Sequence, residues 1–385
     1  MQVLTQTLVL TRLAFLGIAQ RKWSALVLVG SVACVIGVLL SMLSVTAGML
    51  RAYRSGEDPQ QAVVLAPENS GRPNGIPTND MGTILDAPGI AKSADGHPLG
   101  DGELQMWVPP TGPYVIGSPN LRGIGAVGFA LHPHLHIIEG RQFRSGRHEV
   151  ILGVAAARAF QLRVGKVILL AGGPWTIVGL FTDDGSMLES EVLSDTDTLI
   201  ADGQTSGYGS VLVKLETPAA FDRFSRWLAT NPNLKEIAQR QSDYAERTAN
   251  QNSAFFTALA YAVGATMALG ALFGTVKLMY AAVSVRIREL ATLRAIGYQP
   301  LPVALSVMVE TLVLALLGAL AGVGAAWLLF NGKHVVQARN VFDLSVSPRL
   351  VALGIAWALA LALLGGLPPA LRAARRSVTD ALRAV

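Results

Sequence analysis

The chain has 385 residues, is 51% hydrophobic and only 15% charged, and has a mean hydropathy of +0.43, whereas soluble domains run nearer a quarter charged. An ordinary soluble enzyme is excluded, and a single cysteine, Cys34, excludes an intrachain disulfide or a redox cysteine pair. The formal charge of +5 is divided unevenly, because residues 1–50 and 248–385 are basic and residues 51–247 are net acidic.

Taken in chain order, residues 24–50 form the first charge-free run, longer than the ~20 residues a helix needs to cross ~30 Å of hydrocarbon. Arg51 and Arg54 follow it directly, which reads as an uncleaved anchor rather than a signal peptide. Residues 51–247 read as a water-soluble insert. Three further spans are expected at 248–285, 301–330 and 350–371, separated by a short segment at 286–300 and a loop at 331–349, with a tail at 372–385. Basic residues gather before span one, between spans two and three, and in the tail, so the positive-inside rule places both termini in the cytoplasm. The expected fold is therefore a membrane protein of four transmembrane α-helices, N-in and C-in, with a large α+β extracytoplasmic domain between helices 1 and 2. The basic residues sit beside spans, where they orient the chain and meet lipid head groups, which argues against a nucleic-acid partner.

Within the insert, strands are expected at 149–153, 166–170, 175–180 and 210–216, with helices at 154–162, 218–230 and 234–247. Residues 51–130 are rich in Gly, Pro, Asn and Asp, and an irregular lobe is expected there.

Known catalytic signatures are missing from the sequence. No P-loop occurs, since Gly165-Lys166 and Gly332-Lys333 lack the upstream glycine and the following Ser or Thr; nor does HExxH, GxSxG or paired-cysteine zinc spacing. His132, His134 and His136 would share one face of a strand, but ~7 Å apart, too far to bind one ion without a bend; they are a weak metal candidate beside a solvated surface strand. The acids Asp183, Asp184, Glu189 and Glu191 could be imagined as a general acid and base, but nothing marks them as buried and they suggest a structural loop instead.

In the spans, Gly270 and Gly274, and Gly318 and Gly322, place small residues at i,i+4, which permits close helix packing. Glu310 lies on the order of 14 Å inside span three, and an ionisable residue there needs a partner or water. Lys277 of span two should reach a similar depth, so a Lys277–Glu310 pair is expected, against the alternative that each snorkels separately.

The segment KLMYAAVSVRIRELATLRAIGYQP (277–300) leaves the membrane as a helix with alternating charge and ends at Gly297 before Pro300. It resembles the cytoplasmic end of span two in the FtsX/MacB/LolC superfamily of ABC transporter permeases (type VII), where an R-x-R/K-E-ϕ-x-x-L-R-A-ϕ-G pattern is characteristic. ETLVLALLGALAG (310–322), the PPALRAARRSVTDALRA tail, and the stretches at 139–166 and 175–195 agree, the last two especially with stand-alone DevC-like permeases. Lys277 and Ser377–Val378 depart from the family pattern.

This resemblance implies a permease dimer, of two copies or with a paralogue, working with two copies of a separate cytoplasmic ATPase that binds ATP and Mg; the chain itself would bind no cofactor and would not be an enzyme alone. Residues 1–23 would form an interfacial amphipathic helix in contact with membrane lipid. Arg286, Arg288, Glu289, Leu290, Leu293, Arg294, Ala295 and Gly297 would form the ATPase-coupling segment. In such systems ATP-driven motion is passed through the spans to the periplasmic domain (mechanotransmission). The expected function is export of lipophilic or amphipathic cargo from the bacterial inner membrane or periplasm with a periplasmic adaptor. The alternatives are an FtsX-like relay that regulates a cell-wall hydrolase without transport, and a membrane-anchored enzyme or receptor.

Overall fold

The computed structural model describes residues 22–56, 58–67, 75–107, 120–170, 173–285, 299–337 and 340–375. These fall into two compact units, one drawn from 1–47, 254–332 and 345–385 and the other from 48–253 and 333–344. Four helices are long and apolar enough to cross a membrane: α1 (Lys22–Arg54), α7 (Gln241–Val285), α8 (Pro300–Phe330) and α9 (Pro348–Arg375). The helix α7 has 45 residues and is about 68 Å long, more than twice the hydrocarbon thickness, so its first turns belong to the second unit.

In the first unit α1, α8 and α9 bury a shared apolar seam, with Leu28, Val32, Ile36 and Leu40 of α1 against Ala315 and Ala319 of α8 and Ala358 and Ala362 of α9. Small residues on α8 and α9 allow the branched side chains of α1 to fill the gap between helix backbones.

The second unit is built on a ten-stranded mixed sheet ordered β12–β1–β11–β3–β4–β9–β6–β8–β5, with β7 also on β8. Its strands are β1 (Gln61–Leu65), β3 (Gly100–Trp107), β4 (Asn120–Ile124), β5 (His136–Gly140), β6 (Glu149–Gly153), β7 (Val167–Leu170), β8 (Gly173–Thr182), β9 (Val192–Asp195), β11 (Ser210–Lys214) and β12 (Ile237–Arg240). Pairing is antiparallel except β4–β9 and β6–β8. The short strands β2 (Ile76–Pro77) and β10 (Gly207–Tyr208) pair separately.

Two larger apolar clusters pack against this sheet, with smaller ones beside them. In one, Ala62 and Val64 of β1 and Val211 and Val213 of β11 pack against Ile84 of α2 (Asp80–Leu85) and Phe224 and Leu228 of α6 (Phe221–Thr230). In the other, Val150 and Leu152 of β6, Trp175 and Ile177 of β8, and Val192 of β9 meet Ala157 of α4 (Val154–Phe160) and Leu199 of α5 (Thr196–Ala201). At the start of β8, Trp175 and Ile177 are buried in this core while Thr176 is exposed; past the register shift between Ile177 and Gly179, Phe181 enters a separate cluster with Ile124, Ile151 and Leu193.

The strands expected at 149–153, 166–170, 175–180 and 210–216 are present, as are the helices near 154–162 and 218–230. Two expectations are corrected. Residues 237–240 form the edge strand β12, and α7 begins only at Gln241, because Ala62 to Leu65 of β1 offer an open edge to that segment. Far from being irregular throughout, 51–130 supplies β1, β3 and β4 to the sheet. The glycines that suggested loops serve close packing: a Cβ on Gly102 would lie 2.4 Å from the Tyr208 ring, and one on Gly100 would lie 2.3 Å from Leu85.

Residues between α8 and α9 form a hairpin, β13 (His334–Gln337) and β14 (Asn340–Asp343), that belongs to the second unit. Val341 and Phe342 are buried, and β14 packs against α4 and the turn Met187–Ser190. Gly48, near the end of α1, meets this hairpin so closely that a Cβ there would lie 2.3 Å from the Asp343 carbonyl oxygen. Gly48→Val should therefore displace the hairpin, read as faster amide exchange at 341–344, whereas Gly82→Val, where nothing lies within 4 Å, should leave it unchanged.

Candidate functional site

Strand β3 pairs by Gly100–Glu103 with β11 and by Leu104–Trp107 with β4, so it joins the two halves of the sheet. Asp101, Glu103 and Gln105 alternate along it and share a face. Across the β4 register, Gln105 stands opposite Arg122. At this junction Arg122 Nη1 donates to Glu103 Oε2 (2.6 Å), while its Nε and Nη2 donate to Glu191 Oε2 (2.5 Å) and Oε1 (3.2 Å). Gln105 Nε2 adds a bond to Glu191 Oε1 (2.8 Å), and His132 Nε2 lies 3.2 Å from Glu103 Oε1.

The charges in this cluster support one another. Burial would raise the Glu103 carboxyl, but the Arg122 charge and the His132 bond outweigh it and hold its pKa down to about 2. Burial likewise opposes charge on Arg122 and His132, yet the glutamates outweigh it and both are raised. Asp101 behaves oppositely: it is 6% exposed, its Oδ2 accepts the Gly125 N–H at 2.7 Å, and burial with the nearby Glu103 charge pushes it up to about 7.

A pH dependence follows, with its sign. A carboxyl at about 7 in the fold and near 3.8 when unfolded holds a proton in the folded state that the unfolded chain has lost, so stability falls as pH rises between those values. His132, raised, contributes stability that is also lost as pH rises through its folded pKa; Glu103, lowered, contributes stability lost only as pH falls below about 4.5 toward about 2. From about pH 5 to about pH 8 the second unit should lose about 2 kcal/mol, and Asp101→Asn should remove most of that decline in thermal melts at the two pH values.

A cavity of about 280 Å³ opens on this cluster, lined by Glu103, Arg122, His132 and Glu191, by Asp183 and Ser186, and by the ends of α1 and α7 through Tyr53, Gln241 and Tyr244. The two helix ends are tied by Asn252 Nδ2 donating to the Tyr53 hydroxyl (3.0 Å) and by an Arg54–Glu246 ion pair (3.1 Å).

The histidine expectation is corrected. His132 follows the short helix α3 (Gly128–Leu131), His134 lies in a turn 3.0 Å from Asp184, and only His136 opens strand β5, so the three share no face. Pro133 and the end of α3 break the strand that the spacing suggested. Among the described residues no group of three or more His, Cys, Asp or Glu is arranged to hold a metal ion. Among the acids at 183–191, where the sequence marked none as buried, Asp183, Glu189 and Glu191 are buried. Glu189 accepts from Thr182 Oγ1 and from the Asp183 and Gly185 N–H groups, which fixes the turn after β8.

In the first unit Lys277 of α7 is exposed, and Glu310 of α8 is 6% exposed. Gly318 and Gly322 press against α1, whereas Gly270 and Gly274 of α7 meet nothing within 4 Å and line an apolar groove with Val27, Ser31 and Cys34. The expected coupling residues Arg286, Arg288, Glu289, Leu290, Leu293, Arg294, Ala295 and Gly297 lie outside the described residues. Arg122, Glu103, Gln105 and Tyr53 were not singled out by sequence; the signal was present in GDGELQMW, where polar residues at alternate positions of a strand mark one polar face.

One apolar helix ahead of a large α/β domain and three behind it define a multi-pass membrane protein with one large domain outside the bilayer. The profile of the MacB-like periplasmic core domain matches residues 24–230, and that of the FtsX-like permease C-terminal region matches 261–378. The chain belongs to the FtsX/MacB-like family of ABC transporter permeases.

It is 23% identical over 233 residues to the macrolide export ATP-binding/permease protein MacB of Hahella chejuensis, and 21% identical over 229 residues to the uncharacterized ABC transporter permease YknZ of Bacillus subtilis. Each match uses 57% of the chain; it spans 35% of the first relative's length and 57% of the second's. Solved structures similar to it include the periplasmic region of MacB from Actinobacillus actinomycetemcomitans (18% identity, TM-score 0.39, 50% of this chain and 94% of that one). Another is the extracellular domain of the noncanonic ABC-type transporter YknZ from Gram-positive bacteria (17%, 0.37, 46% and 98%).

Proposed function

We propose that this chain is the membrane subunit of an ABC exporter, driven by a separate cytoplasmic ATPase that binds ATP and Mg, and that it moves lipophilic or amphipathic cargo with a periplasmic adaptor. The observation that carries this reading is the joint match of a MacB-like periplasmic core domain and an FtsX-like C-terminal region on one chain. Continuity of the chain supports it, since α1 and α7 each contribute residues to both units. Two copies, or a copy and a paralogue, would face two ATPases. Arg286–Gly297 would dock on the ATPase, with Leu290 and Leu293 as apolar anchors and Arg288, Glu289 and Arg294 as polar register.

The test is affinity purification of the tagged chain from native membranes in gentle detergent, with mass spectrometry of bound proteins. An ABC ATPase together with a periplasmic adaptor supports the exporter; an ATPase with a peptidoglycan hydrolase would replace it with a signal relay, and recovery without any ATPase would overturn it. In the reconstituted complex, Leu290→Asp should reduce stimulated ATP hydrolysis at least tenfold while the melting temperature of the membrane protein stays unchanged.

A further inference from the structure

We propose that the groove between α1 and α7 holds one acyl chain of an anionic glycerophospholipid of the cytoplasmic leaflet, with Lys277 on its phosphate. The groove measures about 550 Å³ and is walled by Val27, Cys34 and Val35 of α1 and by Met267, Gly270 and Gly274 of α7. Its concavity comes from the two glycines, since a Cβ at either would meet nothing within 4 Å. Its floor is closed, because Val35, Ala268 and Ala271 pack against Leu361 of α9, and Thr275 is buried against Gly365 of α9. The Ser31 hydroxyl in the lining donates to the Leu28 carbonyl (2.9 Å), so it asks for no further partner. Water is absent at this depth of a bilayer, and hydrocarbon is what meets such a surface.

Length and level fit a lipid. The groove runs from Val35 and Met267 at its deep end to Val27 and Ala281 near the cytoplasmic helix ends. From Met267 to Ala281 is about 21 Å along α7, against about 15 Å for half of the hydrocarbon layer. It is therefore as deep as one leaflet and reaches the head groups. Tyr280 of α7 carries the guanidinium of Arg372 of α9 at 5.1 Å from its ring centroid, and an aromatic ring with an arginine at the end of a span marks the head-group level. Lys277 lies about 4.5 Å below Tyr280, within the reach of its own four-carbon stem.

Charge selects the lipid and argues against a second copy of the chain. Among the described residues that line the groove, Lys277 is the one carrying a full charge; it is exposed, and no Asp or Glu stands beside it. Arg372 adds a second cation on the same face of α7, since Tyr280 follows Lys277 by three residues. Basic pockets between spans on the cytoplasmic side favour anionic head groups. A zwitterionic lipid would bring its own ammonium to the same place. A helix from a second copy would bring no anion there, because the spans over 22–47, 254–285, 300–330 and 348–375 contain a single acid, Glu310, which is buried. The inference depends on the membrane placement of α1 and α7 and not on the exporter reading, so either can fail without the other.

The test uses the full chain without any ATPase, in phosphatidylcholine vesicles with or without phosphatidylglycerol. It reads alkylation by neutral N-ethylmaleimide at Cys34, the single thiol of the chain and part of the groove wall. Phosphatidylglycerol should slow alkylation at least about fivefold, the effect of a cation or two on an anionic lipid. Lys277→Gln should bring the two rates within about twofold of each other, in vesicles whose surface charge is unchanged. Gly274→Leu, whose added side chain enters open space, should likewise abolish the lipid effect although Lys277 remains. Native mass spectrometry of the chain extracted in gentle detergent should show a retained phosphatidylglycerol that both variants lose. Equal protection by phosphatidylcholine, or undiminished protection in Lys277→Gln, would overturn the proposal. So would protection in phosphatidylcholine alone that is relieved as the protein is diluted, which would assign the groove to a second copy.

Discussion

Arg122→Met should destabilise the extracytoplasmic unit by about 3–5 kcal/mol, because it leaves two glutamates buried without their cation. Glu103 and Glu191 are 5% and 1% exposed, and the guanidinium makes three bonds to them. The methionine chain fills the space of the arginine stem, so lost packing contributes little. The measurement is denaturant unfolding of the whole protein in detergent, followed by amide exchange in β3 and β4. Arg122→Lys should lie between, since one ammonium cannot make the paired contact with Glu191 while reaching Glu103. The triple variant Arg122→Met, Glu103→Gln, Glu191→Gln should recover a large part of the loss, because neutral amides tolerate burial better than unpaired carboxylates. A loss below about 1 kcal/mol for Arg122→Met would mean that the cluster is wetter than its burial indicates.

The membrane topology was legible because its signal is composition: four long apolar runs with almost no charge need no knowledge of what packs against them. Strands such as β6 and β8 were legible for a related reason, their period and length being set by the local chain. The first half of the extracytoplasmic domain was not. Gln61–Leu65 is buried on both faces, so its QAVVL lacks alternation, and Gly100 and Gly102 looked like loop punctuation when they are clearances for Leu85 and Tyr208, partners 15 and 106 residues away. The Arg122 cluster was hidden likewise. Its members come from β3, β4, the segment before β9 and the turn after α3, and only the pairing of Gln105 with Arg122 and of Leu121 with Val192 brings them together. Non-local register of this kind is not written in any one segment. The glycine pairs show the same limit: spacing marked both as packing motifs, and only the neighbours of each residue distinguish them.

That distinction gives the second large effect. Gly322→Leu should cost about 3 kcal/mol or more, at or beyond the upper end of ordinary overpacking, because a Cβ there would lie 2.5 Å from the Ala33 carbonyl oxygen and 3.1 Å from the Gly37 nitrogen, both backbone atoms of α1. Backbone cannot swing aside as a side chain can, so α1 and α8 must separate and the seam of Val32, Ile36, Ala315 and Ala319 must open. Gly318→Leu should act in the same direction, since its Cβ would meet the Val29 carbonyl oxygen at 2.7 Å. Gly270→Leu and Gly274→Leu, with nothing within 4 Å, should change stability by less than about 0.5 kcal/mol in the detergent-solubilised chain. Thermal unfolding of the four variants followed by size-exclusion profile separates the pairs. Equal loss across all four would show that the open face of α7 is covered in the solubilised protein; equal tolerance would show that α1 and α8 do not approach as closely as Gly322 and Ala33 require.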